Sequence, residues 1–325
     1  QWGGLVDLDP AATLDANVDA IIVSLDGRDD EDQATWRNGS RLVPRLARAM
    51  TPGPAALALR SDGAYLVTGG LGGLGSEVGQ WLARHGAGTL VLLGRNPGNN
   101  PAAAQAVQQA GARAVVVAGD VADEAAMNAL FARFGHDLPP LRVIVHAAAD
   151  FSSAPVEALT AEQVHRMASP KIGGAVLLER LARSQPLEFL VCFSSSTAIL
   201  GAAGFAHYAA ANRFLDAFAV ACDRPDRRVL SVNWGTWEVM RSVSEEARAG
   251  YRRADARERH HLRQHRSGLR RAARWSERAR GLPADREPGG DLGARLSGRA
   301  SVGVLEQSLP QRADRAVARA GEPSG

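Results

Sequence analysis

"YLVTGGLGGLGSEVGQWLARHG", residues 65–86, joins an apolar, β-branched run to an amphipathic stretch through a cluster of glycines. A strand that must turn at once into a helix calls for such residues. Glycine allows the tight turn, lets the backbone approach a ligand closely, and lets the helix pack near the sheet. The helix start leaves free N–H groups and the positive end of its dipole at the loop, which suits a pyrophosphate. Gly70, Gly72, Gly73 and Gly75, with Thr68 and Leu74 beside them, are therefore the expected dinucleotide-binding residues. Sterics alone can demand a glycine-rich turn, so its weight comes from its place between a strand and a helix.

The same alternation continues along the chain. Apolar strand candidates occur at 64–69, 89–94, 113–120, 141–148, 187–195 and 227–235. Helical patterns fill the intervals at 73–85, 101–110, 122–134, 160–184 and 205–222. Near-continuous apolar strands separated by helices imply a parallel sheet covered on both faces. The expected fold is α/β, a doubly wound, Rossmann-like parallel sheet spanning residues 64–251. The second strand ends in "LLGRNP", where a site for NAD would favour an acid; Arg95 there suits a ribose 2′-phosphate and points to NADPH. Asp120 and Val121, after the third strand, are expected beside the adenine, and His146, Ala147 and Ala148, after the fourth, beneath the ribose.

Residues 3–9 and 37–47 read as two strands bracketing a helix or loop, and 51–63 as a Pro/Gly linker. The chain opens on Gln1, which reads as the start of a piece cut from something longer. Beyond Arg252 the apolar periodicity fails, and 252–325 is expected to be disordered or poorly folded. Residues 251–325 hold seventeen arginines against nine acids, so the net charge of +3 belongs to this tail and the first 250 residues are acidic on balance. That distribution argues against a nucleic-acid partner. No run of eighteen apolar residues occurs, which argues against a membrane span. Cys192 and Cys222 lack metal-ligand spacing, no metal is expected, and a reducing, cytoplasmic setting fits them.

Of thirty-eight basic residues, Lys171 is the only lysine. A compact amine that the protein can tune electrostatically does what arginine cannot. Ser195 falls at the C-terminal end of a strand, where open α/β sheets place ligands. Tyr208 and Asn212 are four apart and share a helix face. Together these four suit reduction of a carbonyl. As hydride reaches carbon, charge grows on oxygen and a placed acid must supply a proton. Tyr208 would be that acid, with Lys171 lowering its pKa and Ser195 donating a second hydrogen bond. Asn212 would order the lysine or a relay water. His207 is expected to be exposed or lid-facing, and His146 a structural strand-end residue.

The motifs "VTGGLGGLG", "HAA", "PKIGG", "FSSSTAILG", "HYAAANRFLDAF" and "NWGTW" resemble, in order and spacing, the ketoreductase domain of type I modular polyketide synthases, within the short-chain dehydrogenase/reductase superfamily. The resemblance covers about residues 1–250. In this branch asparagine stands on the tyrosine helix and lysine on the preceding one, which Asn212 and Lys171 match. It implies that residues 1–50 are the C-terminal remnant of a truncated structural half-domain. It also implies NADPH-dependent reduction of a β-ketoacyl thioester on the phosphopantetheine arm of an acyl carrier protein, among neighbouring polyketide synthase domains. The family's two markers of product stereochemistry are absent: Phe151, Ser152 and Ser153 stand where one would be, and Leu200 where the other would be. Stereochemistry stays open. The tail departs too, and its arginine surge resembles another reading frame, which suggests a frameshift near Asp255. The alternatives are an inert fragment of such a domain and a stand-alone reductase of a free small molecule.

Overall fold

The computed structural model describes residues 4–25, 31–46, 59–235 and 304–308. The chain divides into two compact units, residues 1–51 with 301–325, and residues 52–300.

The smaller unit begins with β1 (Leu5–Asp7), α1 (Leu14–Leu25), β2 (Gln33–Arg37) and β3 (Ser40–Leu46). β1 runs parallel to β2, and β2 turns back into β3 as a hairpin. Asn38 and Gly39 make that turn at φ of 51° and 72°. Positive φ at both central residues matches the right-handed twist of the flanking strands, and Asn-Gly tolerates it best. The expectation of one strand over 37–47 is thus corrected. An Asn-Gly turn splits it, and Gln33–Arg37 supplies the partner strand.

The larger unit carries β4 (Ala64–Thr68), α2 (Gly73–Arg84), β5 (Thr89–Gly94), α3 (Ala102–Gln109), β6 (Arg113–Ala118), α4 (Glu124–Phe131) and β7 (Leu141–His146). After these come α5 (Ala161–Ala168), a π turn at Ser169–Gly173, α6 (Gly174–Ala182), β8 (Phe189–Ser195), α7 (Thr197–Leu200), α8 (Ala206–Cys222) and β9 (Arg228–Trp234). The sheet order is β6-β5-β4-β7-β8-β9, and every pairing is parallel. The order reverses between β4 and β7, the switch point at which such sheets open a crevice. Side chains alternate across the sheet. Leu66, Val91, Ile144 and Leu190 pack under α4, α6 and α8, and Val67, Leu92, Val145 and Val191 under α2 and α3. Both faces are dry, which is why the strands read as continuous apolar runs rather than alternating ones.

The helix expected over 160–184 is interrupted. Thr160 opens α5 with a reciprocal capping box to Gln163. Pro170 then removes an N–H from the ladder, and the backbone widens into a π turn before α6 resumes. The turn holds Lys171. Last, β10 (Val304–Ser308) pairs antiparallel with β3 in the smaller unit. Val304–Ser308 is an exception to the expectation that 252–325 lacks structure, and the rest of that span lies outside the described residues. The frameshift reading near Asp255 lies outside the described residues.

Candidate active site

Thr68 ends β4, and the chain reverses at Gly69, with φ of +68°. A Cβ on Gly69 would lie 2.9 Å from the Ala147 carbonyl carbon and the Ala148 nitrogen, so the first loop can approach the loop after β7 only without a side chain there. A Cβ on Gly75 would lie 2.1 Å from the Gly69 carbonyl oxygen; its absence lets the first turn of α2 close onto the loop. The result is a cradle of backbone beneath the N-terminus of α2.

From this cradle a cleft of about 780 Å³ runs along the C-terminal ends of the strands. Gly72, Gly73, Leu74, Gly75, Arg95, Asp120, Val121, Ala147 and Ala148 line one part, and Lys171, Ser195 and Tyr208 line the other. Thr68, Gly70, His146 and Asn212 do not line it. They stand a layer behind, with Thr68 and Asn212 fully enclosed. Thr68, Gly70 and His146 thus have a supporting place behind the cleft, which for His146 is the structural strand-end role expected of it. Gly69, Leu71, Asn96, Phe151, Thr197 and Trp234 also line the cleft, beyond the residues expected there. Gly69 has a signal in the sequence, since it sits between the strand end and the first expected glycine.

His146 shows what the second layer does. Its Nε2 lies 3.2 Å from the Lys171 carbonyl oxygen. A carbonyl can only accept, so Nε2 carries the hydrogen. Nδ1 is then the acceptor for the Thr68 hydroxyl at 2.8 Å, while the Thr68 oxygen accepts from the Ala148 N–H at 3.3 Å. Burial, and next the nearby Lys171 charge, push the His146 pKa down from 6.5 to about 4, so the ring is neutral. One relay thus ties the loop after β7 to the π turn.

Lys171 is 2% exposed, and its Nζ donates to the Phe193 carbonyl at 2.8 Å. Burial lowers its pKa to about 8. Nζ lies 5.4 Å from the centre of the Tyr208 ring. Tyr208 is held above its ordinary pKa by burial; hydrogen bonding to Asn212 and Ser195 pulls the other way and loses. This corrects the expectation that Lys171 lowers the tyrosine. Desolvation dominates, and the phenol stays protonated at neutral pH.

The three serines separate by their bonds. Ser194 is engaged at the back, donating to the Asn212 carbonyl at 3.1 Å and accepting from Asn233 at 3.0 Å. Ser195 accepts from the Thr197 N–H at 3.2 Å, and its hydroxyl stands in the cleft in hydrogen-bond contact with the Tyr208 phenol. Asn212 donates through Nδ2 to the Tyr208 carbonyl at 2.8 Å, while its Oδ1 is buried without a partner. The Phe151 ring lies 5.4 Å from the Tyr208 ring and 5.3 Å from Phe205, walling one side of the tyrosine. His207 is buried rather than exposed, and its Nε2 meets the Ser152 hydroxyl at 3.3 Å.

A cleft with a glycine cradle at one end and a serine, tyrosine and lysine at the other defines a dinucleotide-dependent oxidoreductase architecture. Residues 63–239 match the family model described as the KR domain. The chain is 38% identical over 246 residues to a phenolphthiocerol/phthiocerol polyketide synthase polypeptide of Mycobacterium bovis, covering 76% of this chain and 16% of the relative. It is 38% identical to erythronolide synthase EryA3 of Saccharopolyspora erythraea, covering 76% of this chain and 8% of that one. Among solved structures, the ketoreductase from the first module of phoslactomycin biosynthesis in Streptomyces sp. HK803 matches with a TM-score of 0.66 and 37% identity. That match covers 73% of this chain and 55% of the other. An A-type ketoreductase from a modular polyketide synthase matches with a TM-score of 0.63 and 34% identity, covering 73% and 50%. The chain belongs to the KR domain family, the nicotinamide-dependent ketoreductases of modular polyketide synthases. It spans no more than about a sixth of the length of the two curated relatives named here.

Proposed function

We propose that this chain reduces a β-ketoacyl thioester, carried on the phosphopantetheine arm of an acyl carrier protein, to the β-hydroxyacyl thioester with NADPH. The reading rests on one observation above all. A single cleft holds the glycine cradle and the Ser195, Tyr208 and Lys171 side chains.

The residues present fit the cofactor. Gly69 and Gly75 leave backbone room that a Cβ would fill, the N-terminus of α2 opens toward the loop, and Arg95 offers a guanidinium suited to a 2′-phosphate. When bound, NADPH supplies the hydride. Ser195 donates a hydrogen bond to the substrate carbonyl oxygen and orients it. Tyr208, kept neutral by burial, donates its phenolic proton to that oxygen as charge develops there. The Lys171 ammonium offsets the resulting phenolate charge, and Asn212 holds the helix turn that carries the tyrosine. Phe151 and Phe205 keep water from the phenol. NADPH as co-substrate and the reduced thiols, Cys192 and Cys222, fit a cytoplasmic enzyme.

The test is turnover of purified protein with NADPH and a β-ketoacyl thioester on a short pantetheine mimic, followed by NADPH absorbance. Tyr208→Phe should lower kcat on the order of a thousandfold with unchanged NADPH affinity. A variant as fast as the wild type would refute the assignment of the acid.

A further inference from the structure

We propose that Asp150 is a positioning residue of the cofactor half of the cleft: it holds the Arg95 guanidinium until the 2′-phosphate of a nucleotide takes its place. Arg95 directly follows β5, and Asp150 stands in the loop after β7. The sheet order sets β4 between those two strands, so the pair reaches across the strand that feeds the glycine cradle. Arg95 lines the cleft and Asp150 does not, so the acid acts on a ligand through the arginine.

Arg95 Nη2 lies 4.0 Å from Asp150 Oδ2. That is beyond hydrogen-bond reach, so the two charges attract without sharing a hydrogen. A phosphate meets a guanidinium through short, charge-assisted bonds, often two at once, and is the stronger partner. The arginine is the member free to turn, its side chain 55% exposed against 23% for the acid. Asp150 is fastened on both sides. Before it, the Ala147 N–H donates to the Thr68 carbonyl at 3.1 Å and the Ala148 N–H to the Thr68 hydroxyl oxygen at 3.3 Å. After it, the Phe151 ring packs on Phe205 and Tyr208, Ser152 meets His207 at 3.3 Å, and the Ala154 N–H donates to the Gly204 carbonyl at 2.9 Å. When the guanidinium turns to a phosphate, the carboxylate stays where its loop holds it.

Asp120, the acid that does line this part of the cleft, is engaged in its own turn, its Oδ1 accepting from the Ala122 N–H at 2.9 Å. Among the described residues the ion partner of Arg95 is Asp150. Binding a 2′-phosphate therefore exchanges one anion for another, and the attraction of the pair is lost in the exchange. A nucleotide without that phosphate has no anion to offer there and leaves the pair intact. Asp150 thus loosens the hold on a 2′-phosphate and on no other part of the nucleotide, which favours release of the spent cofactor. The inference rests on the reading above of Arg95 as the partner of the NADPH 2′-phosphate.

Adenosine 2′,5′-bisphosphate and adenosine 5′-monophosphate differ by that one phosphate, and calorimetric titration of each into the full chain is the test. Asp150→Asn keeps the shape and removes the charge, and should tighten the bisphosphate about two- to fivefold while leaving the monophosphate unchanged. Asp150→Ala should give the same shift, and it decides the matter where the asparagine variant does not fold. Arg95→Gln should by itself weaken the bisphosphate, and in that background Asp150→Asn should lose most of its effect, because no guanidinium is left to hold. Bisphosphate affinity unchanged or weakened in folded Asp150→Asn would overturn the proposal. So would an equal gain for both nucleotides, or a gain of the same size with and without Arg95. An Arg95→Gln variant that binds the bisphosphate as tightly as the wild type would instead defeat the reading of Arg95, and the proposal with it.

Discussion

Replacing Lys171 by methionine should make the protein more stable and catalytically silent. Burial brings the lysine from its ordinary 10.5 to about 8. At about 1.4 kcal/mol per pH unit, keeping the charge inside the fold at neutral pH costs on the order of 3 kcal/mol. Methionine has nearly the same length, bends to fill the same space and carries no charge. It loses the bond from Nζ to the Phe193 carbonyl, and losing one such bond costs about 1 kcal/mol. The expected net gain is roughly 2 kcal/mol at pH 7, by urea unfolding followed with circular dichroism. The pH dependence carries the sign. Between about 8 and 10.5 the unfolded chain keeps a lysine proton that the folded chain has released, so this residue makes wild-type stability rise with pH across that window. The advantage of the methionine variant should therefore be largest at pH 7 and nearly gone at about pH 10. A variant less stable than the wild type at neutral pH, or a gap of equal size at both pH values, would refute the reasoning.

Gly75→Ala should weaken NADPH binding on the order of a hundredfold by fluorescence titration. Its Cβ would lie 2.1 Å from a backbone oxygen that no side-chain rotation can move. Arg95→Gln should raise the Kd for NADPH roughly tenfold and leave that for NADH unchanged, because only the former carries the 2′-phosphate. Below pH 6.5 the protein should lose stability down to about pH 4, by an amount on the order of 3 kcal/mol from His146 alone. In that window the unfolded chain takes up a proton that the buried ring refuses. His146→Gln should remove this component from the acid limb of urea midpoints.

The sheet is legible because its strands are buried on both faces and read as unbroken apolar runs between helices. The glycine loop is legible because its steric demands leave no other residue type. What escapes the sequence has physical reasons. Pro170 and the glycines after it look like a tolerable interruption of a helix, and nothing local says that the backbone widens there rather than kinks. The Asn38–Gly39 turn is visible in the sequence, but the apolar residues that follow it draw it into a single longer strand. The raised pKa of Tyr208 depends on how deeply α8 sinks against Phe151 and Phe205, and burial depth is a property of packing, not spacing. Likewise, facing the cleft and standing behind it differ by one side of a strand end, so position alone does not separate Thr68 and His146 from the residues that line it.

Lys171 is held at both ends. Its carbonyl accepts from His146 on β7 and its ammonium donates to Phe193 on β8. Within the π turn the Lys171 carbonyl accepts from the Gly174 N–H and also meets the imidazole. The neutrality of His146 is then a requirement rather than a by-product. A protonated ring would place a second cation beside the ammonium and deprive Thr68 of its acceptor, loosening the loop that carries Ala147 and Ala148 beside the glycine cradle. The glycine cradle and the buried lysine are thus joined through one uncharged imidazole.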